Sequence, residues 1–531
     1  MPAGAPSEGP KVLKLLQSTA TVGSATILSR ILGFLRDVVL ARWFGASGET
    51  DAFFLAFKIP NFMRRLFAEG SFSLAFVPVL SELREAGDRQ ALREFIDHVT
   101  GALLSVLLLL TALGVTFAPA VLAVFAPGWW TEGRPEFALA SDMLRITFPY
   151  ILFISLTALA GGILNSFERF LVPALTPVLL NLSLIGCAVL LSSHFEVPVM
   201  ALAWGVFLAG LVQLLFQLPA LMRLGLLPRP RWGWRHSGVR RVLKLMVPTL
   251  LGSSAAQVNL LIDSVIATFL ITGSVSWLYY SDRLLEFPLG VFGVALATVI
   301  LPSLSRKHAA QSPEAFSATL DWALRLALVI TLPAAVGLAT LAEPMLATLF
   351  QYGRFAASDV HMASLSLVAY AVGLPAFIAI KVLAPGYFAR QDPATPVRIS
   401  LLAMGLNVLL NLLFVGSLLK LGFAGPHAGL AAASSAAAWL NAALLYRGLR
   451  RGGVYQPLAG WAPLALAVFL ACLAMGALLV LAVPALAHWL PLQAWDRAWR
   501  LGAWIAAGAA LYGVTLLLLG VRPARLLRES A

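Results

Sequence analysis

Ionisable residues crowd one apolar stretch near the start of this chain. Between Ser29 and Gly70 stand Arg30, Arg36, Asp37, Asp51, Lys58, Arg64, Arg65 and Glu69, set among Leu, Ile, Val, Phe and Ala. A charge near a bilayer centre costs at least about 2.5–3.5 kcal/mol on insertion scales, so such residues face protein or a water-filled cavity. Arginine has a planar fork of donors that grips phosphate oxygens two at a time. The composition therefore points to a cationic central cavity that binds an anionic headgroup, with Arg30, Arg36, Arg64, Arg65, Asp51 and Lys58 as its substrate-binding residues.

Spacing sorts these charges. Arg30 and Asp37 are seven residues apart and share a helix face with Gly33, whereas Arg36 is set off from that face, so only a wide cavity could use both arginines. Asp51, Lys58 and Arg65 recur at seven-residue steps, Pro60 removes a backbone hydrogen bond between them, and Arg65 with Glu69 makes an i,i+4 pair. In the second half, Ser276–Gly290 carries Asp282, Arg283 and Glu286 at i,i+4 and i,i+3 spacing. Acidic groups opposite a basic cavity could close it by ion pairing and open it when substrate competes; a local ion-pair network would give the same pattern. Asp37, Glu69, Asp282, Arg283 and Glu286 are the gating candidates. Asp263, and Asn407 with Asn411 four residues on, are apolar-run oxygen ligands that could hold Na+ or pass a proton; polar helix packing accounts for them equally.

These residues require membrane helices to position them. The 531 residues are 60% hydrophobic and only 12% charged, far below the quarter usual in soluble domains. Apolar runs long enough to span a bilayer follow one another from about 19–43 to about 499–520, fourteen in all, which predicts an all-α polytopic membrane protein. The formal charge of +13 reads as excess Lys and Arg in cytoplasmic loops, with no nucleic acid implied. Loops 81–97, 223–239 and 447–453, and those with Arg306, Lys307 and Arg390, lie on one side and carry the Lys and Arg, while the loops that alternate with them (44–50, 127–137, 193–197, 272–275 and 351–359) hold none or one, which places both termini in the cytoplasm; the outer loop with Arg497 and Arg500 is the exception. No cleavable signal peptide is expected in the polar leader, and Cys187 and Cys472, both in apolar runs, suggest neither a disulfide framework nor a metal site.

The chain also repeats itself. FVPVLS at 76–81 returns as ILPSLS at 300–305, and Pro78 stands 224 residues before Pro302. Such a duplication predicts two six-helix lobes around a central cavity, residues 1–235 and 236–452, followed by two extra transmembrane helices and a basic cytoplasmic tail in 453–531. There is no phosphate-transferring loop, metalloprotease motif, acidic metal cluster or nucleophile motif, so phosphate is expected to be bound and not transferred, and no enzyme is expected. A polytopic glycosyltransferase would need an acid/base constellation by a large loop, and neither is present. A drug exporter would favour an apolar cavity with few fixed cations.

SRILGFLRD at 29–37, TDAFFLAFKIPN at 50–61, RRLFAEGSF at 64–72, YYSDRLLEFP at 279–288 and ARQDPATPV at 389–397 resemble the MviN/MurJ family of lipid II flippases, in the multidrug/oligosaccharidyl-lipid/polysaccharide exporter superfamily. The resemblance implies translocation of undecaprenyl-diphosphate-linked MurNAc-pentapeptide-GlcNAc across the bacterial inner membrane by alternating access. The runner-up is export of another lipid-linked oligosaccharide or of drugs. It also implies functional roles for Arg30, Arg36, Asp51, Arg64, Arg65, Asp282, Arg283 and Glu286, a lipid-tail groove on the two C-terminal helices, and sodium in some members. No cofactor is expected; Na+, H+ or the membrane potential could supply coupling, and membrane lipids and cell-wall synthesis proteins are the expected partners.

Overall fold

The computed structural model describes residues 9–65 and 72–521, and no strand occurs among the described residues. The chain forms two compact units, residues 1–269 and 270–531, a division that falls after the seventh expected span. The first contains α1 (Gly9–Phe44), α2 (Gly48–Met63), α3 (Ser73–Glu85), α4 (Arg89–Thr116), α5 (Ala118–Phe125), α6 (Pro127–Thr131), α7 (Pro135–Thr147), α8 (Tyr150–Ser166), α9 (Leu171–Leu190), α10 (Met200–Leu224) and α11 (Ser237–Ala267). The second contains α12 (Ser274–Pro288), α13 (Val294–Ala309), α14 (Pro313–Thr340), α15 (Ala342–Leu349), α16 (Ala357–Phe388), α17 (Ala394–Lys420), α18 (Ala428–Arg451), α19 (Trp461–Ala482) and α20 (Ala494–Leu518). Eleven of these, some joined across a short break, are long and apolar enough to cross a membrane. The other three expected spans fall on α1, on α2 with α3, and on α11, which carry the ionisable residues, so the fold is that of a fourteen-span helical membrane protein.

Local chemistry explains the starts and breaks. Ser47 caps α2 by accepting the Thr50 amide (3.3 Å), and Glu49 and Asp51 sit in the first turn, where the helix dipole favours negative charge. Asp88 caps α4 by accepting the Gln90 and Ala91 amides (2.9 and 3.0 Å). α4 ends at Phe117 and α14 at Leu341, each followed at once by a short helix. These breaks are 224 residues apart, the spacing of Pro78 and Pro302.

The same spacing relates two buried carboxylates. Asp97, near the start of α4, accepts the Arg229 amide (2.8 Å) and faces the Arg231 guanidinium at 3.7 Å, while its own carbonyl takes the Arg231 amide (3.1 Å). Gly101, one turn further on, lies under this loop: a Cβ there would come within 2.2 Å of the Arg231 carbonyl oxygen. Asp321, 224 positions after Asp97 and 1% exposed, accepts the Leu458 amide (3.1 Å), the Tyr455 hydroxyl (2.8 Å), the Trp461 indole (2.7 Å) and Arg325 Nε (2.6 Å). Burial and this carboxylate both raise the pKa of the Tyr455 hydroxyl, which stays a donor. In each copy of the sequence repeat (1–235 and 236–452), then, an acid on the third span fastens the loop that follows the sixth.

In the second unit this fastening leads into α19 and α20. They pack on each other and on α14, where Leu464, Val468 and Ala471 meet Leu328 and Leu332 and the Tyr512 hydroxyl donates to the Val329 carbonyl (2.7 Å). The outer-loop Arg497 is 4% exposed: it donates to the carbonyls of Leu490, Leu492, Ala347 and Gln351 at 2.7–3.0 Å and lies over the Tyr352 ring. Arg497 departs from the loop-charge pattern because it is a buried cap for carbonyls. Removing one partner of a buried ion pair costs about 3–5 kcal/mol. Asp321→Ala is therefore expected to lower the melting temperature and to expose residues 452–460 to protease, with Asp321→Asn less affected; an unchanged melt and digest would refute the fastening role.

Candidate functional site

The site is built from α1, α2, α8, α9 and α11 of the first unit. Arg36 is 8% and Asp37 0% exposed. Arg36 Nε and Nη2 donate to Asp37 Oδ1 (2.9 and 2.7 Å), and Nη1 donates to Asn181 Oδ1 on α9 (3.1 Å). Asn181 Nδ2 in turn donates to the Ser29 carbonyl (3.1 Å), so one amide ties the arginine and the α1 backbone to α9. Helical spacing put Asp37 on the face of Arg30, yet its partner is the adjacent Arg36, whose long side chain swings back across the helix. Arg30 is on the exposed side of α1, beside Ile27, Ile31 and Phe34.

The other cations of this unit are placed around α2. Lys58 Nζ donates to Ser264 Oγ on α11, next in sequence to Asp263. Asp51 is buried in the first turn of α2. Past Pro60 the backbone widens into π-type turns at Arg64 and Arg65, which breaks the seven-residue register of Asp51, Lys58 and Arg65. Arg64 Nε and Nη2 donate to Asn61 Oδ1 (3.0 and 2.8 Å), and Arg65 is exposed. The buried Tyr150, at the start of α8, lies within electrostatic reach of both Arg64 and Arg36. Glu69 lies outside the described residues.

In the second unit, Arg283 Nη1 donates to Glu286 Oε2 (2.5 Å) and Nη2 to the Tyr279 hydroxyl (3.0 Å), all on α12, with Asp282 partly buried beside them. Asn407 and Asn411 are buried on α17; Asn411 Nδ2 donates to Asn407 Oδ1 (3.1 Å) and Asn407 Nδ2 to Ser434 Oγ on α18 (3.2 Å). Asp263 belongs to the first unit and the two asparagines to the second. Among the described residues no three His, Cys, Asp or Glu side chains cluster as a metal site would require.

Sequence reading missed Asn181 and Ser434. Each is a neutral polar residue in an apolar run, a signal that marks helix packing as often as a site. The Arg36–Asp37 pair gives a direct measurement. Arg36→Ala is expected to cost about 3–5 kcal/mol by leaving Asp37 buried without its ion pair, and Asp37→Ala a similar amount. The double variant should lose much less than the sum, and additive melting shifts would show that the two are not coupled.

Comparison with known proteins agrees with this architecture. A family model described as "Lipid II flippase MurJ" matches residues 40–496. The chain is 49% identical over 515 residues to a Vibrio cholerae protein described as "Probable lipid II flippase MurJ", covering 96% of this chain and 97% of that one. It is 47% identical over 517 residues to one from Haemophilus influenzae with the same description, covering 95% and 100%. A Burkholderia cenocepacia protein described as "Lipid II flippase MurJ" is 42% identical over 531 residues, with 98% and 100% covered. Among solved structures, "Lipid II flippase MurJ, inward closed conformation" superposes with a TM-score of 0.76 at 27% identity, covering 93% of this chain and 97% of that one. An inward-facing multidrug resistance MATE transporter of the MOP superfamily shares the fold, with a TM-score of 0.64, 16% identity, and 82% and 98% covered. Matched by the family model over residues 40–496 and by relatives over nearly its whole length, this chain is a member of the lipid II flippase MurJ family.

Proposed function

We propose that this chain is a lipid II flippase that moves undecaprenyl-diphosphate-linked MurNAc-pentapeptide-GlcNAc from the cytoplasmic to the periplasmic leaflet by alternating access. The observation that carries this reading is the end-to-end likeness to lipid II flippases at 42–49% identity. The geometry fits it. Arg36 presents a planar fork held at a fixed orientation by Asp37 and Asn181, and Arg64 stands within reach of the same buried Tyr150. Two guanidiniums suit the two phosphates of a diphosphate by charge-assisted bonds, the anion taking over from Asp37 the Nε–Nη2 edge of Arg36 and from Asn61 that of Arg64. Fixed cations weigh against an apolar drug as cargo. Binding and release need no bond broken in the headgroup, so the protein acts as a carrier and not as an enzyme. Its place is the inner membrane, with both termini in the cytoplasm.

The test is headgroup accessibility in vesicles containing the purified full chain and labelled lipid II. The wild type should equilibrate lipid II between leaflets, and Arg36→Ala should abolish this while still inserting. Arg36→Lys should recover only part of it, because ammonium cannot make the bidentate contact. Protein-independent flipping, or full activity of Arg36→Ala, would sink the reading.

A second expectation concerns energy. Outward movement of a net anion is favoured by the membrane potential by about 2.3 kcal/mol per charge per 100 mV. Collapsing the potential should stop net transport even with a sodium gradient maintained. Transport that persists at zero potential and fails without sodium would instead assign coupling to Asp263 or to the Asn407–Asn411–Ser434 cluster.

A further inference from the structure

We propose that the first unit carries a structural binding site for an anionic phospholipid, separate from the cationic residues of α1 and α2. A cavity of about 120 Å³ lies between α4, α8 and α11. Val99, Leu103 and Leu107 of α4 form one wall and Val239, Leu243 and Met246 of α11 the other. The sole hydroxyl on the lining is that of Ser155 on α8, and Trp234 stands at the loop end. The lining on α4 runs from Val99 to Leu110, about 16 Å at 1.5 Å per residue, a long and narrow shape suited to an acyl chain lying along the helix. Val106 and Leu110, both 38% exposed, leave this wall open sideways. Trp234 is 44% exposed, as an aromatic residue at the level of lipid headgroups would be.

The charge at the mouth chooses the class of lipid. Arg235 follows Trp234 in the loop, and on α11 Arg240 is one turn (i,i+3) from Leu243, the lining residue of that helix that is 37% exposed, with Lys244 one turn beyond Arg240 on the same flank. All three are exposed, and none makes an ion pair among the described residues. Nearby, Arg231 is drawn to Asp97 and Arg241 to Glu82, so the pattern is not one of general pairing. A basic mouth over an apolar slot between membrane helices matches a lipid with a phosphate headgroup and net negative charge. The occupant stabilises the contact of α11 with α4, which is otherwise made beneath the loop fastened by Asp97.

The experiment uses the purified full chain with phosphatidylglycerol bearing a photoreactive group in its acyl chain, and phosphatidylcholine with the same group as the comparison. Labelling should map to residues 99–110 and 239–246 and favour phosphatidylglycerol by at least about fivefold, the contribution of a single cation near an anionic lipid. Replacing Arg235, Arg240 and Lys244 together by alanine should remove the preference, and Ala102→Trp, which fills the slot, should remove the labelling. If Ala102→Trp fails to fold, the triple surface variant still decides. Equal labelling by both lipids, or labelling elsewhere, overturns the proposal. So does labelling displaced by undecaprenyl phosphate but not by excess phosphatidylglycerol, since the slot would then hold a prenyl chain.

Discussion

Inside a bilayer a charged or polar group must find its partner within the protein, because neither water nor lipid tails can supply one. Most of this structure's informative features follow from that constraint. Arg36 is answered by Asp37 and Asn181, Lys58 by Ser264, Asp321 by four donors, and Arg497 by four carbonyls. Each set of partners includes one distant in the chain, so polar satisfaction here acts as an ordering force between helices whose apolar faces have little reason to prefer one another over lipid. A transport site grows from the same requirement: a cation held by partners that an anion can partly replace is both stable at rest and able to bind.

Much of this was legible in the sequence. Hydropathy and length marked the spans, and the crowding of Arg30, Arg36, Asp51, Lys58 and Arg64 in an apolar stretch marked the region that needs explanation. What the spacing could not show was who pairs with whom. A helical wheel ranks Arg30 above Arg36 as the neighbour of Asp37, but it ignores a side chain long enough to cross the helix surface and curl back onto the adjacent residue. Past Pro60 the wheel itself ceases to apply, because the turns at Arg64 and Arg65 are π-type.

Asp97 and Asp321 were invisible for another reason. Their partners include backbone amides of Arg229 and Leu458, and a backbone amide has no sequence signature. Like Pro78 and Pro302 in the proline-containing strings, this pair of acids and the helix breaks at Phe117 and Leu341 stand 224 residues apart. The side chains around the acids differ: Asp97 meets Arg231, whereas Asp321 meets Arg325, Tyr455 and Trp461. The additional donors come from the chain leading into α19, which turns a loop fastening shared by both units into the attachment point of two further helices.

The acid-to-loop fastening also bears on the order in which the chain is made. Asp97 leaves the ribosome long before Arg229, and Asp321 long before Leu458, so the third helix of each repeat enters the membrane with a carboxylate whose loop partners have not been synthesised. Until the sixth helix of its repeat has been made, that carboxylate lacks the loop amide that it finally accepts. Completion of each repeat thus depends on the arrival of its last loop, and a chain stalled before that point would leave the acid without the loop that it fastens.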